Sequence, residues 1–408
     1  MVPADIAVTG LGLVTPAGPT PEANWSALCR GRSLAAADPE LAGLPVDFSC
    51  RVPPFDIEAE LGRGRTRRLD RFSHLALAAA RRAVADAGLD ARTWDGERVG
   101  VVLGVGSNSL HTYVKEFCHL GAGTPDRVSP LALPRSVPNM AAGEVAIDLA
   151  AGGPNFTTSS ACASGATALG VARDLLRSGA CDIVLAGGSE SARSRMTATC
   201  FHRMRALSRR RDRPAEASRP FDADRDGFVL GEGAAVLVLE RYAGARARGV
   251  RPRALLRGYG ATSDAHHPVA PRPDGGGAAR ALTAALRDAG CGPADIGHVN
   301  AHGTATRQGD AAEAAALTRV FGGDPPPVTA PKSVIGHALG AAGAIEAAYT
   351  VLSLEHQLIP PTANFRFQDG DHKLDIVAGV PRRVTMTAAI TCSFGFGGQN
   401  AVLLFTAP

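Results

Sequence analysis

The 408-residue chain has no surplus of one charge, no long apolar run and no paired cysteines, and each absence removes a class of function. Lys and Arg number 43 against 39 Asp and Glu, a net charge of +4 that is too balanced for nucleic-acid binding as a property of the whole surface. The apolar stretches are broken by Gly or by charge well short of the ~20 residues that a membrane span needs. The start, MVPADIAVTGLGLVTPAG, lacks the basic region of a signal peptide and reads as a strand and a turn, which points to a cytoplasmic protein. Cys29, Cys50, Cys118, Cys162, Cys181, Cys200, Cys291 and Cys392 stand singly, with neither a CxxC pair nor a dense disulfide framework.

What is present is ordinary for a compact protein. Hydrophobic residues make up 45% and charged residues 20%, and 47 Gly with 28 Pro imply many tight turns rather than disorder. The length exceeds the ~100–200 residues of a usual domain, so two domains or one large fused core are expected. Short β-branched runs (IAVTGLGLV, RVGVVLGVG, DIVLAGGSE) alternate with Ala-rich helical stretches (HLALAAARRAVADAG, ATALGVARDLLRSG), the pattern of an α/β protein whose strands are covered by helices.

The second half repeats the order of the first. A helix ending in Asp86-Ala87-Gly88 leads into the apolar run from Val99, and one ending in Asp288-Ala289-Gly290 leads into the run from Ile296. Gly231 to Leu239 resembles Gly397 to Phe405, a Gly turn feeding an apolar strand near the end of each half. The alternative is chance recurrence of Gly-plus-Val strings in an Ala- and Gly-rich chain. On the repeat reading, the charged segment Arg241 to Arg253 is the seam, giving halves of residues 1–250 and 251–408.

Three short segments could carry chemistry. Cys162 lies among small residues, TTSSACASGA, where a strand runs into a helix; a helix N-terminus offers unpaired N–H groups and a positive dipole end, which favour thiolate. The alternative for a lone Cys there is a buried structural thiol. His302 (NAHGTAT) and His337 (KSVIGHALGAAG) each stand beside Gly where a loop leaves or enters a regular element. A Cys and two His raise the question of zinc, but the local ligand pairs of a structural site are missing, so no metal is expected. Imidazoles near a thiolate suit hydrogen bonding and proton movement.

These segments, with Ser393-Phe394-Gly395-Phe396-Gly397-Gly398, resemble the β-ketoacyl-acyl carrier protein synthases, nearest to the synthase II branch shared by fatty acid and polyketide systems. The likeness spans nearly the whole chain. It implies an α/β, thiolase-like fold: duplicated βαβαβαβ halves in five layers (αβαβα), the first carrying the nucleophile and the second the His and Lys residues, assembled as a dimer. It also implies an acyltransferase chemistry of decarboxylative Claisen condensation. Cys162 would take an acyl chain from the phosphopantetheine arm of an acyl carrier protein, with no tightly bound cofactor. Backbone N–H groups of Cys162 and Phe396 would form the oxyanion hole, while His302 and His337 bind a malonyl thioester as carbon dioxide leaves.

The same resemblance assigns supporting parts. Lys332 would order the site with Glu346, aided by Thr304, Thr306, Asp310 and Glu313, and Phe396 would act as a gate. It allows a monovalent cation near Asn300 and Glu346. Basic residues Arg65, Arg68, Arg205, Arg209 and Arg210 suit docking of an acidic carrier protein, with solvated surface arginines as the alternative. Ser107 and Asn108 stand where the fatty acid enzymes have an apolar residue beside the acyl pocket. With Arg307-Gln308 after Thr306, they point to a polyketide substrate, with fatty acid elongation as the alternative. Two further readings stay open: a partner subunit of the chain-length-factor kind, in a heterodimer rather than a homodimer, and acyl transfer without condensation.

Overall fold

The computed structural model describes residues 5–107, 110–322, 325–370 and 372–408. Its first strand, β1 (Ile6–Val14), is buried at every position, Thr9 included, as a strand is when both faces of its sheet are covered. The first half adds β2 (Val99–Gly104), β3 (Asn155–Thr158), β4 (Ile183–Ser191) and β5 (Glu232–Arg241). The second supplies β6 (Ala254–Ser263), β7 (Ile296–Asn300), β8 (Val328–Thr329), β9 (Ala388–Gly395) and β10 (Gln399–Thr406).

Among the described residues these strands form one sheet in the order β8-β7-β9-β10-β6-β1-β5-β4-β2-β3. Counted outward from the centre, both halves run first, fifth, fourth, second, third. The second strand of each half is parallel to the third and fourth, and the fifth returns antiparallel. The halves meet where Ile6 to Val8 pair with Ala254 to Leu256. The repeat read in the sequence falls on equivalent elements: Gly88 and Gly290 follow equivalent helices with left-handed φ of 63° and 68°, and the two Gly-fed runs are the two fifth strands.

One detail differs from the expected βαβαβαβ half. A fifth strand is added in each, reached in the second half through the turn at Phe396–Gly398 and in the first through a long excursion between residues 191 and 232. An antiparallel return needs no crossover helix, and in the second half no α-helix stands between β9 and β10.

Helices complete five layers, as the fold class requires. On the outside of the first half lie α1 (Arg71–Asp86) and α3 (Met140–Asp148); α2 (Leu110–Gly121), between them in the chain, buries only Thr112 and Glu116. In the middle lie α4 (Ser164–Arg177) and, further along the chain, α8 (Ala342–His356). Between these in sequence come α5 (Arg195–Arg203) in the long excursion, then α6 (Gly276–Ala289) and α7 (Arg307–Phe321), which cover the second half. Residues 342 to 354 of α8 are all buried, because a central helix has no solvent side.

The two central helices touch at their N-terminal turns. A Cβ on Gly165 would stand 2.7 Å from Ala344 N, and one on Gly343 would stand 2.8 Å from Ala166 N. Only glycine permits that approach, and it brings the loops that precede both helices to one place.

Candidate active site

Cys162 occupies a single 3-10 turn, Ala161–Ala163, between β3 and α4. Ala161 before it has a left-handed φ of 49°, a conformation costing an L-residue about 1 kcal/mol or more. Ser164 secures the turn, accepting from Ser160 N at 2.9 Å and donating to Ala161 O at 2.6 Å. His302 follows β7, with Ala305 at φ 68° three residues on, and His337 precedes α8, with Leu339 at φ 44° two residues on. Left-handed residues therefore flank all three groups, and the strain is held by the packed helices beneath.

The turns converge. His337 Nε2 lies 3.2 Å from Cys162 Sγ, and the His302 and His337 rings stand edge to face with centroids 5.4 Å apart. Lys332 is 2% exposed; its Nζ pairs with Glu346 Oε1, donates to His302 O at 2.6 Å and lies 3.3 Å from His302 Nδ1. An ammonium has only donors, so His302 Nδ1 is an acceptor and its proton sits on Nε2, the opposite edge of the ring. Burial and then the Lys332 charge push both histidines well below their ordinary value, so they are neutral.

The thiol behaves differently from the sequence expectation. Burial pushes Cys162 up to about 12, outweighing the pull of Lys332 in the other direction. A helix terminus helps a thiolate, but a half-buried sulfur walled in by protein loses more hydration than one turn of N–H groups returns. The resting pair is a thiol facing a neutral imidazole.

Two buried acids organise the His302 loop. Glu313 on α7 accepts from His302 N and Gly303 N, each at 2.8 Å; Asp310 accepts from Phe221 N at 2.7 Å and Ala305 N at 3.1 Å. Burial raises their carboxyls to about 8 and about 6. Arg225 lies 3.7 Å from Asp310, a partner the sequence did not suggest. Thr304 and Thr306 hydroxyls bond each other at 3.0 Å.

A cavity of about 650 Å³ opens onto Cys162, His302 and His337 and is lined further out by Thr304, Thr306 and Phe396. Arg205, Arg209, Arg307 and Gln308 also line it. Gly395 abuts Cys162: a Cβ there would stand 3.1 Å from Cys162 N. The Phe396 turn is held from outside by Gly397 N donating to Pro268 O at 2.8 Å and Asp264 N donating to Gly398 O at 2.8 Å. Asn400 in turn donates to Asp264 Oδ1 at 2.8 Å. Neither Asp264 nor Asn400 was singled out in the sequence, since neither belongs to a motif beside a nucleophile or a His.

Other expected residues lie elsewhere. Ser107 is not among the cavity's lining residues; its N–H and hydroxyl bond Glu190 at 3.1 and 3.0 Å. Asn108 is outside the described residues. Arg65 and Arg68 sit on the short helix Arg63–Arg68 and pair with Asp148 and Glu144 of α3, away from the cavity lining. Arg210 donates to Asp224 O at 2.8 Å and does not line the cavity either.

The ligating atoms of Cys162, His302 and His337 fall within 4.8 Å of one another, near enough to raise zinc again. Their surroundings are unsuited to it. A metal-bound imidazole donates its other N–H to an acceptor, whereas His302 faces an ammonium through Nδ1 and His337 Nδ1 is buried without a partner among the described residues. Asn300 Oδ1, Glu346 Oε2 and Ser393 Oγ are likewise buried without partners among the described residues.

Comparisons with known proteins agree with this geometry. Residues 4–245 match the beta-ketoacyl synthase N-terminal domain and residues 253–366 its C-terminal domain. A 3-oxoacyl-[acyl-carrier-protein] synthase 2 of Synechocystis sp. is 40% identical, covering 98% of this chain and 97% of that protein. The Vibrio cholerae protein of the same name is 39% identical, covering 98% of each. Among solved structures, the ishigamide ketosynthase/chain length factor superposes with a TM-score of 0.94 at 34% identity, covering 100% of both chains. A second is a type II PKS acyl-carrier protein in complex with its ketosynthase bound to the hexaketide (AntDE:AntF), with a TM-score of 0.89 at 31% identity and 100% of both chains covered.

Proposed function

The chain belongs to the β-ketoacyl synthase family, a condensing acyltransferase of that kind, and from this premise we propose how its own residues divide the reaction. Cys162 is the acyl-bearing nucleophile. As its sulfur attacks the carrier's thioester carbonyl, the thiol proton is transferred to the phosphopantetheine sulfur, which leaves as a thiol, while His337 Nε2–H stands 3.2 Å from the attacking Sγ. The N–H groups of Cys162 and Phe396 stabilise the oxyanion, a role supported by the close packing of Gly395 on Cys162 N.

A malonyl thioester then occupies the emptied arm site. His302 Nε2–H and His337 Nε2–H donate to its thioester oxygen, carbon dioxide leaves, and the enolate carbon attacks the Cys162 acyl carbonyl. That attack forms the new C–C bond; collapse of the adduct breaks the C–S bond and releases Cys162 as a thiolate, which takes a proton from water to become the thiol again, leaving the chain two carbons longer on the carrier. The observation that carries this reading is Lys332 on His302 Nδ1, which fixes the donor tautomer aimed at the substrate. Acyl transfer alone would not require a fixed second donor.

Arg205 and Arg209 at the cavity form the carrier-protein docking site, and the halves divide at the crossover between β5 and β6. The edge strand β3 ends the sheet, and around it Phe117 (63% exposed), Leu133 (63%), Ile147 (64%) and Phe156 (37%) present apolar surface to solvent. That surface supports a dimer, with itself or with a chain-length-factor-like subunit. The orphaned oxygens of Asn300, Glu346 and Ser393 would hold a monovalent cation, which would hold Glu346 beside Lys332. No helix among the described residues is long and apolar enough to cross a membrane.

The pathway is type II polyketide assembly, supported by Arg307 and Gln308 at the cavity and by the ketosynthase neighbours. Fatty acid elongation is the second reading, favoured by the synthase 2 relatives and by Ser107, whose polar groups serve Glu190 rather than a substrate. Extension of saturated acyl-carrier protein by the chain alone supports the second reading; extension only of unsaturated or keto-bearing chains, or only with a partner subunit, supports the first.

A further inference from the structure

Glu190 is a buried acid that the reaction above leaves unused. It lies near the end of β4, 2% exposed, and among the described residues no Arg or Lys is paired with it. Instead its Oε2 accepts from Gly106 N at 2.8 Å and Ser107 N at 3.1 Å, its Oε1 accepts from Ser107 Oγ at 3.0 Å, and Gly340 N–H bonds it as well. These donors come from two separate turns. Gly106 and Ser107 come after β2, and Gly340 stands three residues after His337 at the entrance to α8.

The two turns are in van der Waals contact through glycine. A Cβ on Gly340 would collide with Gly106 N and stand 2.9 Å from Glu190 Oε2. Leu339 between His337 and Gly340 is held at φ 44°, a conformation that persists only where neighbours enforce it. Glu190 supplies an anchor there: without it, Gly340 N–H loses an acceptor and the strained turn loses its tie to the rigid sheet. On its N-terminal side His337 is tied by its own N–H to Val229 O at 2.8 Å. The Leu339-Gly340 turn on its C-terminal side is the second support of the ring.

We propose that Glu190 is a positioning residue for the condensation: its carboxylate ties the Ser107 turn to the Gly340 turn and thereby holds His337 against Cys162. It touches no substrate. Its charge, with that of Glu346, opposes ionisation of the Cys162 thiol, while Lys332 favours it.

The turnover arm of the test rests on the condensing reading; the alkylation arm does not. Glu190→Gln is nearly isosteric: the amide oxygen keeps an acceptor for Gly106 and Ser107 N–H, and the amide N–H can donate to the Ser107 hydroxyl. It removes only the charge. Glu190→Ala removes the anchor. Iodoacetamide alkylation of Cys162 followed by mass against pH, with turnover on acyl- and malonyl-carrier protein, separates the two effects.

Glu190→Ala should lower kcat about tenfold or more with little change in KM for the acyl-carrier protein, as a misplaced catalytic group does. Glu190→Gln should keep most of kcat but alkylate faster than wild type, the ratio growing as pH rises through about 7, where burial places the Glu190 titration. Below that pH the wild-type acid is neutral and the two should coincide. A folded Glu190→Ala with unchanged kcat overturns the proposal, as does a folded Glu190→Gln that loses as much kcat as Glu190→Ala; a Glu190→Gln alkylation profile identical to wild type removes the charge effect alone. If Glu190→Ala does not fold, Glu190→Asp, which keeps the charge but withdraws the carboxylate from both turns, decides, unchanged kcat again overturning the proposal. Wild type that alkylates but never condenses would sink the functional reading and leave the Glu190 comparison intact.

Discussion

The turn after β2 and the turn after β7 occupy equivalent places in the two halves, and each is held by a buried glutamate that accepts two successive backbone N–H groups. In the first half Glu190 takes Gly106 and Ser107; in the second Glu313 takes His302 and Gly303. The clamps arrive from different elements, β4 in one case and α7 in the other, and they use their oxygens differently. Glu190 receives both N–H groups on one oxygen, leaving the other for a hydroxyl, whereas Glu313 offers one oxygen to each N–H. The two halves share one frame and differ in what they carry: the first contributes Cys162, the second His302, His337 and Lys332.

The largest break in that division should come from Lys332→Met. It removes the donor that fixes His302 and strands Glu346, so turnover should fall about 100-fold or more. Stability in urea should fall by up to about 3–5 kcal/mol, the usual cost of breaking a buried pair, and by less where Glu346 takes up a proton instead. Burial already raises Glu346 to about 7, so the loss should be smaller at pH 6 than at pH 8.

Glu313→Gln sharpens the comparison between the clamps. An amide cannot accept on both sides, so one buried N–H of the His302 loop faces another donor, costing about 1–3 kcal/mol. Thermal and urea midpoints should drop, and more than for Glu190→Gln, whose Ser107 hydroxyl can reverse its role. Equal losses would mean that the two carboxylates are clamps of the same kind.

The buried acids also give stability a pH dependence of definite sign. Burial lifts Glu313 to about 8 and Glu190 to about 7, above the ~4.3 of an unfolded glutamate. The folded chain then holds protons that the unfolded chain has released, so their contribution is complete below about pH 4 and is lost as pH rises through 7 and 8. Unfolding free energy should decline from pH 5 to pH 8.5 by at least about 1 kcal/mol from this source, and Glu313→Gln should flatten part of the slope.

The smallest effect is at the rim. Arg209→Glu should raise KM for the carrier protein several-fold, by about 1 kcal/mol, with kcat unchanged and the difference shrinking in high salt. A change in kcat instead would place Arg209 in the reaction rather than in docking.

Much of the architecture was legible in the sequence because it is local. Strand runs, helix ends at Gly88 and Gly290, and the Cys162, His302 and His337 segments are each contained in about ten consecutive residues. The fifth strand of each half was half-seen: its apolar run was noticed, but an antiparallel return needs no crossover helix to announce it. Glu190 was invisible for a different reason. It lies 83 residues from Ser107, inside an apolar strand, and its meaning comes only from the donors that the fold brings to it. Asp264 and Asn400 behind the Phe396 turn share that property, with 136 residues between them. The thiol was misjudged because a helix terminus can be read from a sequence, whereas the dehydration that opposes it depends on all the layers together.

The most direct test is intact mass of the protein after incubation with acyl-carrier protein and then with malonyl-carrier protein, for wild type and Cys162→Ala. The account predicts a gain of one acyl group on wild type only, lost when malonyl-carrier protein is added as carbon dioxide and a β-ketoacyl product appear. An acyl gain that survives in Cys162→Ala, or an acyl-enzyme that malonyl-carrier protein never discharges with any partner present, would contradict it.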